Sequence, residues 1–292
     1  MSTNKPSVGI VVRVFIGELP YVKGFFDYYI NLGVSKFYVI ISDVGDFEKI
    51  KSYLKDYEPY LSFKVNEKFI LNNSFNLVLP ELKEDYILSV DVDEFLHVAP
   101  HQSIQDYIAA TGSADKYTFG WLLSVNDTIS ENKIAFEAKG SKQMCRRSLI
   151  QSIPNPHKII SDPKAKEEPL SYCLIHYWGR TFNDIIIKCI YGGLNNLKAT
   201  SLDGVNKDID KGRVPNRFKM MASLSRRIKT IEIPDFITEK IDYPLEEELL
   251  ARFQKKERLF ELYKKYQESL DYKKHVAIYG DVNLINLVDY LP

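Results

Sequence analysis

The amino-acid sequence predicts an α/β fold with a Rossmann-like, mostly parallel sheet that carries helices on both faces. Short apolar, β-branched segments alternate with amphipathic helical segments near the start of the chain, and this β-α-β-α-β order is typical of parallel sheets. The chain has 292 residues, which is enough to bury the core of one large domain or of two small ones. Polar residues follow several predicted strands, and open parallel sheets bind ligands at those carboxyl ends.

The elements of the first half follow from this pattern. Residues 8–15 are apolar apart from Arg13, as expected of a buried strand. A helix should begin near Pro20 and end at Gly33, because apolar residues recur at helical spacing between them. Further strands are predicted over residues 36–42, 61–65 and 85–90, and further helices over residues 46–57, 72–82 and 103–110.

The second half of the chain is less regular. Strands are predicted over residues 116–125, within 133–150 and over 172–177, and helices over 182–192 and 245–270. Residues 195–221 have few apolar side chains and no clear period, which indicates a loop or lid. We therefore expect one domain over residues 1–194, a mobile loop or lid over 195–230, and a C-terminal helical extension over 231–292 packed on the same domain.

The composition excludes several classes of protein. Lysine and arginine together number 39, as do aspartate and glutamate, so the net charge of zero disfavours a nucleic-acid binder. The three cysteines form no close pair, which excludes a zinc knuckle or a disulfide framework and favours a reducing compartment. We see no signal peptide and no apolar run of about 18–20 residues, so we expect a cytoplasmic protein with at most peripheral membrane contact.

Two aspartates, Asp91 and Asp93, follow the predicted strand over residues 85–90. If the strand continues through them, their side chains share one face, because residues two apart along a strand point the same way. Neighbouring carboxylates repel each other unless a cation lies between them, and oxygen ligands favour Mg²⁺ or Mn²⁺. Such an ion can hold a diphosphate and neutralise the charge that develops as it leaves. The alternative interpretation is that the Asp-x-Asp triplet caps a turn.

Longer segments of the chain resemble a known enzyme family. Residues 87–96 read Ile-Leu-Ser-Val-Asp-Val-Asp-Glu-Phe-Leu, which is similar to the Asp-x-Asp-Glu-Phe signature of the glycosyltransferase family 92-like group, related to family 2, with the GT-A fold. Three further segments are similar to the same family. The segment that resembles its first β-α-β unit contains Val11-Val12-Arg13-Val14, Glu18, Pro20-Tyr21, Tyr28-Tyr29, Leu32-Gly33-Val34 and Phe37-Tyr38-Val39. Pro154-x-Pro156-His157-Lys158 resembles its His-containing segment, and its last block is resembled by His176-Tyr177, Arg180-Thr181, Asp184, Lys188 and Gly192. The resemblance covers residues 8–193 in order.

The resemblance implies a metal-dependent, inverting glycosyltransferase that moves a sugar from a nucleotide-sugar donor to a hydroxyl group of a glycan or glycolipid acceptor, with a UDP-sugar as the first choice of donor. The metal would be Mn²⁺ (or Mg²⁺), held by Asp91, Asp93 and His176, and a nitrogen ligand favours Mn²⁺. The alternative for His176 is a packed core residue. The residues that would bind the nucleotide and its diphosphate are Arg13, Asp43, Asp91, Arg180 and Lys188.

An inverting transfer needs a carboxylate that takes the proton of the acceptor hydroxyl. The candidates are Asp127, Glu131 and Glu94. We prefer Asp127 because it follows a predicted strand, whereas Glu94 should point away from Asp93 if the strand over residues 85–90 continues. The chain departs from the family near this base, since Val125-Asn126-Asp127 stands where Phe-Gly-Ser is expected.

Two other functions remain open. A phosphatase of the haloacid-dehalogenase type also carries Asp-x-Asp after a strand, but usually on the first strand and followed by Thr or Gly, whereas Glu94-Phe95 follow it here. A non-catalytic glycan-binding protein could keep the GT-A fold without activity, although the presence of Asp91, Asp93 and His176 argues against this. Release of nucleotide that depends on the donor sugar would separate the three functions.

Overall fold

The computed structural model describes most of the first 177 residues and parts of the remainder. The described residues are 5–41, 44–66, 74–124, 134–177, 183–184, 187, 207, 209–212, 229–230, 242–251 and 255–268. Several predicted site residues lie outside them, namely Asp43, Asp127, Glu131, Arg180 and Lys188. Most of the predicted lid over residues 195–230 and of the predicted helix over 182–192 also lies outside them. The chain divides into two compact units, Met1–Leu122 with Ala138–His176, and Leu123–Glu137 with Tyr177–Pro292.

Parallel strands form the first half of the main sheet. They are β1 (Val8–Val14), β2 (Lys36–Ile41), β3 (Leu61–Val65) and β4 (Tyr86–Ser89). Their order is β3-β2-β1-β4, and each neighbouring pair is parallel. The connections carry α1 (Leu19–Asn31) and α2 (Phe47–Tyr53). Gly33 follows α1 with a φ of 99°, a conformation that glycine adopts without strain.

Further strands extend the same sheet beyond β4. They are β5 (Glu94–Leu96), β6 (Lys116–Ser124), β7 (Ile134–Arg146) and β10 (Ser171–Tyr177), and the order continues β4-β7-β6-β10-β5. β7 runs antiparallel to β4, and β5 runs antiparallel to β10. β8 (Ile150–Asn155) and β9 (Lys158–Ser161) form a separate two-stranded sheet. In the second unit, β11 (Lys229–Thr230) pairs with the first residues of β7.

α-Helices also follow later in the described residues. α3 (Ile104–Ala110) begins after Ser103, whose side chain accepts a hydrogen bond from the N–H of Asp106, as its capping role predicts. α4 (Tyr243–Leu250) and α5 (Lys256–Glu268) belong to the second unit. In the part of the chain that the structure describes, no helix is long and apolar enough to cross a membrane.

The fold class predicted from the sequence is confirmed, since helices and strands alternate and parallel strands form one half of the main sheet. Three predicted helices differ in the structure. The helix over residues 72–82 is a 3₁₀ helix, Ser74–Glu81, with Pro80 inside it. The helix over residues 46–57 is divided, because α2 gives way to the 3₁₀ helix Lys55–Tyr60, where Pro59 has no N–H to donate. A single helix over residues 245–270 is wrong, because α4 and α5 are separated by a turn at Ala251 that an amphipathic period does not reveal.

Aromatic side chains hold β5 against α1. Phe25 and Tyr29 lie with their ring centroids 6.1 and 6.4 Å from that of Phe95. The Tyr29 hydroxyl donates to the carbonyl of Glu94 and accepts from the N–H of Leu96. All of these side chains are buried. The segment that follows β4 is therefore anchored to the core, and this positions the residues of the predicted site.

Candidate active site

The chain turns immediately after β4. The N–H of Glu94 donates to the carbonyl of Asp91 at 3.1 Å, and the N–H of Asp91 donates to Glu94 Oε2 at 2.7 Å. The predicted continuation of the strand through Asp91 and Asp93, which would place both on one face, is therefore wrong. The physical reason is that the Glu94 side chain folds back and closes the turn. The same turn brings Glu94 into the site, whereas strand alternation predicts that it points away from Asp93.

A buried lysine of β7 joins this turn. Lys142 Nζ lies 2.6 Å from Asp91 Oδ2 and 3.3 Å from Glu94 Oε2. The side chains of Lys142 and Glu94 are fully buried, while 25% of the Asp91 side chain is exposed. The pairing of β4 with β7 continues to the last residue of β4, which leaves Lys142 beside the start of the turn. Sequence reasoning missed Lys142, although strand alternation places it on the same face as the buried Met144.

Burial and the charges around the turn shift the pKa values of Asp91, Lys142 and Glu94. Burial would raise the pKa of Asp91, but the charge of Lys142 and, more weakly, that of Arg13 hold it below its usual range despite the neighbouring Asp93. Burial would lower the pKa of Lys142, but Asp91 and Glu94 raise it. Burial raises the pKa of Glu94 to about 7, with Lys142 opposing the shift and Asp91 adding to it. Asp91 and Lys142 are therefore an ion pair at neutral pH.

Arg13, one of the predicted nucleotide-binding residues, lies on the neighbouring strand β1. The pairing of β1 with β4 ends where Val11 lies beside Ser89, so two residues further along β1 Arg13 reaches the level of Asp91. This position agrees with its effect on the pKa of Asp91. The structure thus brings together Arg13, Asp91 and Asp93 at one edge of the sheet.

His176, on β10, faces two carboxylates. Its Nε2 lies 3.4 Å from Asp93 Oδ2, and its Nδ1 lies 3.8 Å from Glu94 Oε1. The antiparallel register of β5 and β10 pairs His176 with Glu94 and so determines this position. Within the described ranges, His176 Nδ1 and Glu94 Oε1 are buried and have no hydrogen-bond partner. Unpaired buried polar atoms are costly, which favours a site that a ligand completes.

If the predicted ligands Asp91, Asp93 and His176 bind one metal ion, their oxygen and nitrogen atoms must lie close to a common point. The 3.4 Å between Asp93 Oδ2 and His176 Nε2 is longer than a typical hydrogen bond, and it allows both atoms to bind one cation at about 2.1 Å. Asp91 Oδ2 is bound by Lys142 instead. Where residues are described, no group of three or more His, Cys, Asp or Glu side chains is arranged to hold a metal ion. The structure therefore brings together two of the three predicted ligands.

Glu94→Gln is expected to remove part of the pH dependence of stability. The pKa of Glu94 is about 7 in the fold against 4.5 for an unperturbed glutamate, so between these values the folded chain keeps a proton that the unfolded chain has lost. Rising pH therefore lowers the free energy of unfolding of the wild type across this window, by about 2–3 kcal/mol, and the variant should lack this loss. Urea unfolding from pH 4.5 to 7 measures the difference.

Glu167→Gln is the matched control for this prediction, because the Glu167 side chain is 59% exposed. Its profile should run parallel to that of the wild type, since both proteins retain Glu94 and the same histidines. A Glu94→Gln profile that also runs parallel to the wild type would contradict the raised pKa.

Comparison with known proteins identifies no family. No protein-family model matches the sequence, and no curated protein is similar to it. Similar solved structures include the mannosyltransferase PcManGT from Pyrobaculum calidifontis in complex with GDP-Man and Mn²⁺, GalNAc-T7 with UDP, GalNAc and Mn²⁺, and TarS 1–349 from S. aureus. Their respective identities are 12%, 10% and 11%, with TM-scores of 0.42, 0.40 and 0.38. In the same order, the matches cover 95%, 95% and 90% of this chain, and 85%, 59% and 91% of the matched chains. At these identities the similarity concerns the fold alone.

Proposed function

We propose that this chain is a metal-dependent glycosyltransferase that moves a sugar from a nucleotide-sugar donor, with a UDP-sugar as the first choice, to a hydroxyl group of a glycan or glycolipid acceptor, with inversion. The observation that carries the proposal is the pairing of Asp93 with His176 beside Asp91, after the carboxyl end of β4. Ligands of open α/β sheets bind at that edge. The resemblance of residues 87–96 and 175–192 to the family 92-like group supports the same activity.

Mn²⁺ or Mg²⁺ is the proposed metal, and Asp93 and His176 are its proposed ligands among the described residues. Bound there, the ion would neutralise the charge that develops on the departing diphosphate. Mg²⁺ in particular binds through one or two carboxylates and completes its coordination with water and substrate phosphate, so a small protein ligand set is sufficient. The nitrogen of His176 favours Mn²⁺ over Mg²⁺.

The charged residues around the turn have separate tasks in this proposal. Lys142 neutralises Asp91 and holds the turn closed, so that Asp93 keeps its position opposite His176. The residues proposed to bind the nucleotide and its diphosphate remain Arg13, Asp43, Asp91, Arg180 and Lys188. Arginine suits a diphosphate because its planar fork donates two parallel hydrogen bonds.

Glu94 is better suited to positioning than to proton transfer. Its side chain is fully buried, one oxygen accepts from the N–H of Asp91 and lies near Lys142, and the other faces His176. A general base must come within hydrogen-bond reach of the acceptor hydroxyl, and a fully enclosed carboxylate does not. We therefore assign the proposed base role to Asp127 or Glu131, with Asp127 preferred.

Release of UDP from a UDP-sugar should require both a divalent ion and Asp93. UDP-glucose and UDP-galactose are screened with Mn²⁺ by thermal shift and by slow donor hydrolysis. Chelation should abolish hydrolysis, Mn²⁺ should restore it better than Mg²⁺, and Asp93→Asn should reduce it by about 100-fold or more, because the charge on the leaving group is no longer balanced. Asp56→Asn, at an exposed residue, should have no effect. Full turnover in chelator by Asp93→Asn would contradict the metal role.

A non-catalytic glycan-binding protein is the second candidate. The observation that favours it is the ion pair between Lys142 and Asp91, which neutralises the first aspartate of the motif with a resident charge. Such a protein would bind sugars without releasing nucleotide from any donor. Donor-dependent nucleotide release therefore decides between the two functions.

A further inference from the structure

Trp121, on β6, stands beside the Asp93–His176 pair. Its ring centroid lies 4.6 Å from that of His176, inclined at 59°, and 5.4 Å from that of His157, edge to face at 74°. His157 lies in the turn between β8 and β9 and is exposed, while Trp121 is partly exposed. These three rings, Trp121, His157 and His176, form an aromatic wall next to the proposed metal ligands.

The backbone of β7 determines where the indole ring of Trp121 lies. A Cβ atom on Gly140 would stand 1.8 Å from Cε3 and 2.0 Å from Cζ3 of Trp121, so the six-membered ring fills the space that another residue's side chain would take. The indole Nε1 is buried and has no hydrogen-bond partner in the described part of the chain. Packing against glycine therefore holds the ring.

The order of the strands separates this wall from the proposed nucleotide site. Arg13 lies on β1, on one side of β4, whereas Trp121 lies on β6, two strands away on the other side. A donor whose nucleotide lies near β1 and whose diphosphate lies at Asp93 would extend its sugar towards β7 and β6. The aromatic wall lies in that direction.

We propose that Trp121 stacks on the apolar face of a pyranose ring, carried either by the donor or by the end of the acceptor. The proposal rests on the proposed function, because it assigns a sugar subsite to the same site. One face of a pyranose presents C–H groups and its rim carries hydroxyls, so a rigid aromatic ring with polar groups at its edge matches both. His157, at the exposed edge of the wall, hydrogen-bonds the Ser141 backbone through its side chain, and the remaining ring nitrogen is offered to a sugar hydroxyl.

The test observes Trp121 directly. The two tryptophans of the chain, Trp121 and Trp178, are replaced by 5-fluorotryptophan, and Trp121→Phe assigns the ¹⁹F resonance of Trp121. The protein is titrated with UDP, with a panel of UDP-sugars, and with the corresponding free monosaccharides at millimolar concentration. The metal ion is Mg²⁺, because paramagnetic Mn²⁺ at His176 would broaden the resonance of a ring 4.6 Å away. The Trp121 resonance should shift with sugar-bearing donors or with free sugars, and not with UDP. An equal shift with UDP, or no shift with any sugar, overturns the proposal.

Substitutions at the wall give a second measurement. Trp121→Ala should weaken the binding of the sugar that shifts the resonance by about tenfold, whereas Trp121→Phe, which keeps an aromatic face, should weaken it less. Gly140→Ala keeps the tryptophan but forces its ring to move, so it should also weaken sugar binding while UDP still stabilises the protein. Equal sugar affinity in the wild type and in a folded Trp121→Ala variant overturns the proposal.

The two proposals fail in distinguishable ways. A UDP-sugar that is hydrolysed and raises the melting temperature without moving the Trp121 resonance overturns the sugar subsite and leaves the transferase intact. Free sugars that move the resonance, with no donor bound or hydrolysed, support the subsite and overturn the transferase. A shift with UDP-sugars assigns the stacked ring to the donor, and a shift with free sugars alone assigns it to the acceptor.

Discussion

Replacing Lys142 by methionine should lower the free energy of unfolding by about 3–5 kcal/mol, because it leaves the mostly buried Asp91 and the fully buried Glu94 without their cation. Lys142 Nζ lies within 3.3 Å of both Asp91 and Glu94, and its side chain is fully buried. Water cannot replace most of this interaction, since Glu94 is fully buried as well. Methionine preserves an unbranched side chain of similar length, so the loss reports the missing charge rather than a cavity. Urea unfolding at neutral pH measures the change.

Lys116→Met is the matched control for Lys142→Met. Lys116 pairs with Glu167 at 2.9 Å, but the Glu167 side chain is 59% exposed, so this pair should contribute less than about 1 kcal/mol. Adding Asp91→Asn to Lys142→Met removes one of the charges left without a partner and should recover part of the lost stability. If the two lysine variants lose equally little free energy of unfolding, Lys142 does not have the stabilising role assigned to it.

His176→Ala should weaken Mn²⁺ binding by at least about tenfold while the protein remains folded. The proposed ligand pair is His176 Nε2 and Asp93 Oδ2, 3.4 Å apart, and the substitution removes its nitrogen. Donor hydrolysis should fall together with the metal affinity. Calorimetry with Mn²⁺, and with Mn²⁺ and UDP together, measures binding in the folded protein, and a melting curve measures stability separately.

His101→Ala tests whether the loss of any histidine has the same effect. His101 lies with its ring 5.7 Å from that of Tyr107, away from the proposed ligands, and its loss should leave Mn²⁺ binding unchanged. The opposite interpretation of His176 is a packing residue, supported by its ring contact with Trp121. A His176→Ala variant that melts at lower temperature but binds Mn²⁺ as tightly as the wild type would establish that interpretation.

The parallel half of the sheet is predictable from local sequence. β1, β2 and β3 fall within the ranges that the sequence predicts, and the first helix ends at Asn31, two residues before the predicted Gly33. β1 and β2 are nearly continuous apolar runs, so their burial on both faces is visible in the sequence. β3 alternates apolar and polar residues and is buried less completely. The start of the helix after Ser103 is also predictable from local sequence, because a capping side chain accepts hydrogen bonds from N–H groups only a few residues away.

The candidate site is predictable only in part. The motif and the later His-Tyr block predict that Asp93 and His176 are neighbours, and the two side chains face each other at 3.4 Å. Their role as metal ligands stays a prediction. The direction of Asp91 could not be predicted, because strand alternation assumes an extended chain where the structure has a turn.

The amino-acid order of each short segment is sufficient to specify the strands, the helix caps and the location of Asp91 and Asp93 after β4. The environment of those carboxylates depends on residues distant in the chain, since Lys142 is 51 positions from Asp91 and reaches it only through the pairing of β4 with β7. Trp121 likewise owes its position to Gly140 on another strand. Whether a charge is buried, paired or left for a ligand is a property of contacts between such segments, and a local pattern contains no information about which strands pair.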